Sequence, residues 1–381
     1  MNPLYDQLTS LNLTHFPDKS LCVKHFDDKA IKRFIRSNYS DGYCDYCNKK
    51  LKVVSYEELL PFIMEGIHYH YTDANEYMGW NGREGGFQGN IYNASELIQD
   101  LVGLNAEPFE VIEDIIESIE EIAWSNESEY DRKEDDHMRI SWSNFEHSVK
   151  HRSRFMYYDE KDEFTGQHPY RILDIIGGTI DDLHLIKKIP AGIRIHRIRP
   201  HETSGEVQQL SDISSTPKSK AKYPNRFSPS GIPMLYSAFD PNTSYLETID
   251  PSKKGFYTLG EIELKEDTYC LDLTKIPNLP SIFDERKRDI FHSISFLLSL
   301  RRSMTKSIVK DGREHIEYVP TQVFTEYIKY PFNKGRSKKI EGIIYPSSKP
   351  GGKVAMVNFW DNRECESKLN LISLLEHVVL P

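Results

Sequence analysis

Gly255-Phe-Tyr-Thr-Leu-Gly-Glu-Ile-Glu-Leu264 and, three residues later, Thr268-Tyr-Cys-Leu-Asp272 decide the fold class of the rear half of the chain. Both runs are short and rich in β-branched and aromatic side chains, which is the texture of strands. Working outward, the same texture recurs at Gly192–Ile198, Met234–Ala238, Gly342–Tyr345 and Val354–Phe359. Turn residues separate these runs: Pro200, Pro229-Ser-Gly231 and Pro350-Gly-Gly352. A strong helix is expected from about Arg286 to Arg302, with Ile290, Phe291, Ile294, Phe296, Leu297 and Leu300 on it, and a second from near Thr321. From about residue 185 the chain therefore reads as a mixed α+β domain.

The front half has another texture. Ser55-Tyr-Glu-Glu58 is a capping box opening a helix toward His70, with Pro61 in its second turn. The glycine-rich stretch Gly79–Gly89 has no preceding strand and no Lys-Ser/Thr ending, so it reads as an irregular surface loop and not a phosphate loop. Ile112, Ile115, Ile116, Ile119 and Ala123 mark an amphipathic helix whose isoleucine stripe is core. Residues 126–137 are densely charged and read as solvated; the Arg132-x4-His137 spacing within them, also seen in helical ribonucleases, is too common to carry weight. The stretch Asp159–Pro169 is the expected boundary between a mainly α-helical domain, 1–165, and the α+β domain, 170–381.

Composition excludes several classes. The 381 residues are 38% hydrophobic, 28% charged and 12% aromatic, a globular mix. No run approaches the 18 apolar residues of a membrane span, and Met1–Asp6 lacks the basic and apolar regions of a secretory signal, so a cytoplasmic chain is expected. Five cysteines cannot form a disulfide scaffold at this length. The net charge of −10 is uneven: residues 1–170 carry 32 acidic and 17 basic side chains, and the remainder nets +5. Such an acidic front makes nucleic acid an unexpected partner, because phosphate contacts need Lys and Arg. The mildly basic rear suits a small anion.

Cys22-Val-Lys-His25 and Cys44-Asp-Tyr-Cys47 stand on separate short turns, with Asp41-Gly42 before the second. Two pairs of this kind supply the four ligands of a tetrahedral zinc ion, so a small knuckle over about 20–50 is expected, closed and structural. The plain alternative makes Cys22 a core residue and His25 a surface one.

The rear half lacks a His-Glu-x-x-His, a Walker loop, a Gly-x-Gly-x-x-Gly after a strand and a Gly-x-Ser-x-Gly elbow. It offers polar residues embedded in apolar runs: Arg197, Arg226, Tyr236, Glu247 and Ser347. Arginine forks match phosphate oxygens, a tyrosine ring stacks on a flat base, and a lone carboxylate suits the positive charge left on ribose when nicotinamide departs. The bland alternative is a structural Arg197–Glu247 ion pair.

The words Ile195-His-Arg-Ile-Arg199, Asn225-Arg-Phe-Ser-Pro-Ser-Gly-Ile-Pro-Met-Leu-Tyr-Ser-Ala238, Tyr245-Leu-Glu247, Glu317-Tyr-Val-Pro-Thr-Gln322 and Glu341-Gly-Ile-Ile-Tyr-Pro-Ser-Ser348 resemble the RES domain family over about 190–360. The paired cysteines and Val149-Lys-His-Arg-Ser-Arg-Phe155 resemble the N-terminal domain that accompanies longer RES proteins, although His25 stands where that pattern has a cysteine. The resemblance implies a fold similar to ADP-ribosyltransferases of the diphtheria-toxin kind. It also implies an NAD-degrading toxin of a toxin–antitoxin pair, with NAD as substrate, an antitoxin protein as partner and a homodimer as an expectation. Carried over by motif, Arg197 and Arg226 hold the diphosphate and Tyr236 packs on nicotinamide. Glu247 then binds the ribose hydroxyl and stabilises the cation, while Ser347 orients Arg or ribose. Ser237 departs from the glycine of many members. Alternatives are ADP-ribosyl transfer to a macromolecule on the same scaffold, or a non-catalytic partner-binding module.

Overall fold

The computed structural model describes residues 3–82, 85–87, 89–126, 134–155, 168, 170–308 and 312–379. Arg132 of the Arg132-x4-His137 spacing and nearly all of the 159–169 stretch lie outside them. Contacts divide the chain into two compact units: 1–134 with 279–292, and 135–278 with 293–381.

The first unit is built on α1 (Pro3–Ser10), α2 (Lys29–Ser37), α3 (Tyr56–His68) and α4 (Glu110–Ser118). Beside these helices stands a small antiparallel sheet that the sequence reading did not foresee, of β1 (Ser20–Cys22), β2 (Ser40–Cys44) and β3 (Lys49–Ser55), in the order β1-β3-β2. Lys-Lys-Leu-Lys conceals a strand from a pattern search because only Val53 and Val54 of β3 are buried. Ser55 caps α3 by accepting from the Glu58 N–H, as its sequence signature requires, and Pro61 is carried inside the helix. Isoleucines 112 and 115 of α4 pack with Tyr56, Leu59, Ile63 and Phe26 in one buried cluster. The glycine-rich loop closes on a two-residue pairing, Trp80-Asn81 with Gly86-Phe87.

The second unit is one eight-stranded sheet. Its strands are β4 (Ile186–Ile189), β5 (Arg194–His201), β6 (Leu235–Ala238), β7 (Gly255–Leu264), β8 (Thr268–Asp272), β9 (Ile340–Pro346), β10 (Val354–Asn358) and β11 (Leu369–Val379). The order is β11-β7-β5-β6-β10-β9-β8-β4, and β8 with β9 is the parallel pair among antiparallel ones. Successive strand side chains face opposite ways. Tyr236, Ile343, Tyr345, Ala355 and Val357 accordingly pack on one face, while Ile195, Leu235, Ile344 and Met356 pack on the other.

The first face is covered by α5 (Glu134–His151), α6 (Arg171–Asp182), α8 (Arg288–Thr305) and α9 (Val319–Lys329), which bring Phe145, Ile176, Leu297 and Phe324 into its core. The helix expected at 286–302 forms two residues later, and residues 288–292 belong to the first unit. Across the sheet, α10 (Asn362–Lys368) buries Cys365 in the opposite cluster. The short α7 (Pro241–Thr248) follows β6 and carries the motif carboxylate.

Candidate active site and metal centre

The site is assembled at the ends of β6 and β9. After β6 the chain turns at Asp240, whose carboxylate accepts from the Thr243 N–H and hydroxyl, and Pro241 starts α7 with a preset φ. The Thr243 hydroxyl accepts from the Lys353 N–H, which ties α7 to the loop between β9 and β10. That loop holds Ser347, whose hydroxyl donates to Glu247 Oε1 on the last turn of α7. Ser347 Oγ also accepts from the Lys349 N–H at 3.1 Å. Gly352 closes the loop: a Cβ there would lie 2.8 Å from Ser347 Cβ. Glu247 is exposed and Ser347 half-buried, so the carboxylate is presented to solvent with one hydroxyl holding it.

Tyr236 and Tyr345 stand on the same sheet face. The Tyr236 hydroxyl accepts from the Phe227 N–H and bonds Ser228 Oγ, each at 3.1 Å. Gln322 Nε2 donates to the carbonyls of Asn225 and Ser228, fixing the turn that presents Arg226. Burial pushes the Tyr236 phenol up to about 12, partly opposed by Ser228, the Phe227 N–H and the positive charge of Arg197 and Arg226. Burial raises Tyr345 well above the ordinary range, and the negative charge of Glu247 adds to it. Both rings are therefore neutral phenols at physiological pH.

Arg226 donates through Nη1 to the Met304 carbonyl at 2.6 Å and through Nη2 to the Lys306 carbonyl at 2.7 Å. It thereby satisfies carbonyls at the C-terminus of α8, where a cation is also favoured by the helix dipole. A guanidinium has five N–H donors, so three remain for a ligand. A cavity of about 490 Å³ opens alongside, lined by Arg302 and Lys306 with hydroxyls of Ser299, Ser303, Thr305 and Ser348.

Arg197 is placed differently. It follows Ile195 by two residues on β5 and so projects from the opposite face to Tyr236. Its Nη1 donates to the Tyr236 main-chain carbonyl at 2.5 Å, and its Nε is buried without a partner. Burial lowers its pKa to about 10. Among the described residues no ion pair joins Arg197 to Glu247. The structure thus brings Arg226, Tyr236, Glu247 and Ser347 to one region and connects Arg197 to them through the backbone of β6. Tyr345 and Gln322 had no assigned role in the sequence reading, although both lie inside its motif words.

In the first unit, Cys22, His25, Cys44 and Cys47 offer ligand atoms all within 4.8 Å of one another, a group that could hold a metal ion. Cys22 and Cys47 sulfurs are 4.0 Å apart and His25 Nε2 is 3.1 Å from Cys44 Sγ. Bonds of about 2.3 Å to a tetrahedral centre put sulfurs about 3.8 Å apart, so the set fits zinc with little movement. His25 Nδ1 bonds the Glu107 carbonyl, which presents Nε2 to the centre. Burial raises the Cys44 thiol, but the backbone N–H groups of Cys47, Tyr46 and Cys22 and the His25 ring outweigh it and bring it down to about 7. Cys22 is raised to about 11 by burial.

A carboxylate–serine pair, two neutral phenols and a cavity with two basic side chains thus stand beside one sheet. Residues 194–371 match the family model of the RES domain, which implies a toxin-like function directed at NAD within toxin–antitoxin systems. Residues 37–163 match HEPN/RES N-terminal domain 1. The two matches together span most of the chain, which belongs to the RES-domain proteins that carry this N-terminal domain. Comparison with curated proteins and with solved structures returns no match. No helix among the described residues is long and apolar enough to cross a membrane.

Proposed function

We propose that this protein cleaves the nicotinamide–ribose bond of NAD, with residues 170–381 as a catalytic domain of the ADP-ribosyltransferase kind and water or phosphate as acceptor. The observation that carries the reading is the Ser347–Glu247 hydrogen bond within a RES domain. Loss of nicotinamide leaves an oxocarbenium-like ribose, and a carboxylate fixed against it stabilises the transition state more than the ground state. Ser347 holds the carboxylate; Glu247 faces the ribose; Arg226, with its remaining N–H groups, and the basic cavity receive the diphosphate. Tyr236 and Tyr345 line the nicotinamide end as neutral phenols. Arg197 acts from behind the sheet as a positioning residue.

The test is incubation of purified protein with NAD, with and without phosphate, and separation of the products. Free nicotinamide with ADP-ribose or its phosphorylated form supports the reading and names the acceptor. Intact NAD alongside a modified macromolecule would move the activity to ADP-ribosyl transfer.

The four-residue centre of the first unit supports a structural zinc ion, closed by its own ligands. Metal analysis is expected to find about one zinc per chain, and chelation is expected to melt the first unit. A metal content near zero in folded protein would remove this role.

A further inference from the structure

We propose that the exposed face of the β2–β3 hairpin is a platform for single-stranded nucleic acid. Residues 29–52 hold seven Lys and Arg against two Asp, inside a half of the chain that is otherwise strongly acidic. The antiparallel register sorts them. Tyr43 pairs with Lys50 and Asp41 with Lys52, so these four share one face, while Cys44 and its partner Lys49 belong to the other. Lys52 Nζ sits 3.9 Å from the centre of the Tyr39 ring, extending that face by a second aromatic.

Tyr43 is 68% exposed and Tyr39 42%. Lys50 and Lys52 are exposed, as is Arg36 in the last turn of α2, which leads into the hairpin. Among the described residues Lys50 and Arg36 have no carboxylate partner.

Each ring has an ammonium group beside it, Lys50 across from Tyr43 and Lys52 over Tyr39, and Asp41 between the tyrosines is faced by Lys52; two such ring–ammonium pairs match flat bases flanked by phosphates. Bases stack on the tyrosines and phosphates meet the lysines, a contact that tolerates any sequence. A protein partner fits less well, because lysine is depleted from protein interfaces. A duplex hides its base faces and would leave the tyrosines unused. The net charge of the half does not forbid this binding, since charges more than about 8 Å away are largely screened at physiological salt. The buried Cys44 and the strand pairing below hold the platform rigid.

The experiment measures fluorescence anisotropy of labelled oligo(U) with the full chain at low salt. Saturable binding is expected, with the logarithm of affinity falling against that of salt at a slope near −2 if about three phosphates are engaged. Tyr43→Ala and Tyr39→Ala are each expected to weaken binding by about five- to a hundredfold, while Tyr39→Phe retains it. Lys50→Glu is expected to weaken it in every sequence context. These side chains are exposed, so circular dichroism and NAD turnover stay as in the parent. The proposal is overturned by no binding, by binding indifferent to both tyrosines, by equal affinity for a duplex of the same length, or by displacement with an acidic peptide as readily as with unlabelled oligo(U).

Discussion

Glu247 is exposed at the end of a short helix and receives one hydroxyl, so its removal tests chemistry without touching the core. Glu247→Gln is expected to lower nicotinamide release at least about a hundredfold with an unchanged melting curve, since it deletes the charge and keeps the shape. Turnover equal to the parent would remove the carboxylate from the mechanism. Ser347→Ala is expected to cost about ten- to a hundredfold, the range of a hydrogen bond to a charged group. At this scale the sequence was informative where residue type alone carries the chemistry. Arg226, Tyr236, Glu247 and Ser347, whose roles are those proposed above, were singled out because a carboxylate, a serine and a guanidinium stand out in apolar runs. Tyr345 was not, because a tyrosine in Gly342-Ile-Ile-Tyr-Pro reads as core until its proximity to Glu247 is seen.

At the scale of elements, the strands at 255–264 and 268–272 form with the bounds their composition suggested. The longest strand, β11, was missed: Leu-Asn-Leu-Ile-Ser-Leu-Leu lacks clean alternation, because β11 is an edge and its register shifts where Glu261 gives way to Ile262 on β7. The helix α7 was equally silent, its start being set by the Asp240 cap. The role of Arg197 also belongs here. Its bond to the Tyr236 carbonyl ties β5 to β6 in a dry setting, so Arg197→Ala removes a buried donor and leaves a cavity. Both a lower melting temperature, by several degrees, and slower nicotinamide release are expected, in contrast to Glu247→Gln, which affects rate alone. A thermally unchanged Arg197→Ala protein with lost NAD binding would instead make Arg197 a substrate ligand.

For the whole molecule, pH is the revealing variable. Burial holds the phenols of Tyr236, Tyr345, Tyr46 and Tyr327 above their ordinary value, with Tyr236 at about 12. A phenol raised in the folded state binds its proton where the unfolded chain has lost it, so the stability it contributes is complete below pH 10 and declines as pH rises from 10 toward 12. Alkaline unfolding is expected to begin near pH 10, with phenolate absorbance lagging and then rising together with loss of helix. Early, gradual titration in a still-folded chain would show these phenols to be accessible.

The sequence by itself determined the mixed α+β class and which polar side chains stand out in apolar runs. Strand runs, capping boxes and the spacing of Cys22, His25, Cys44 and Cys47 are local, and local physics writes them into neighbouring residues. Which cores those elements join was decided only by tertiary structure. Met138, Trp142, Phe145 and Val149 of α5 enter the core of the sheet unit, while 279–292 groups with the first unit. Side-chain direction was decided there as well. Arg197 and Tyr236 are both motif residues, yet the pleat sends them to opposite faces, and only strand pairing fixes which face meets the Ser347 loop.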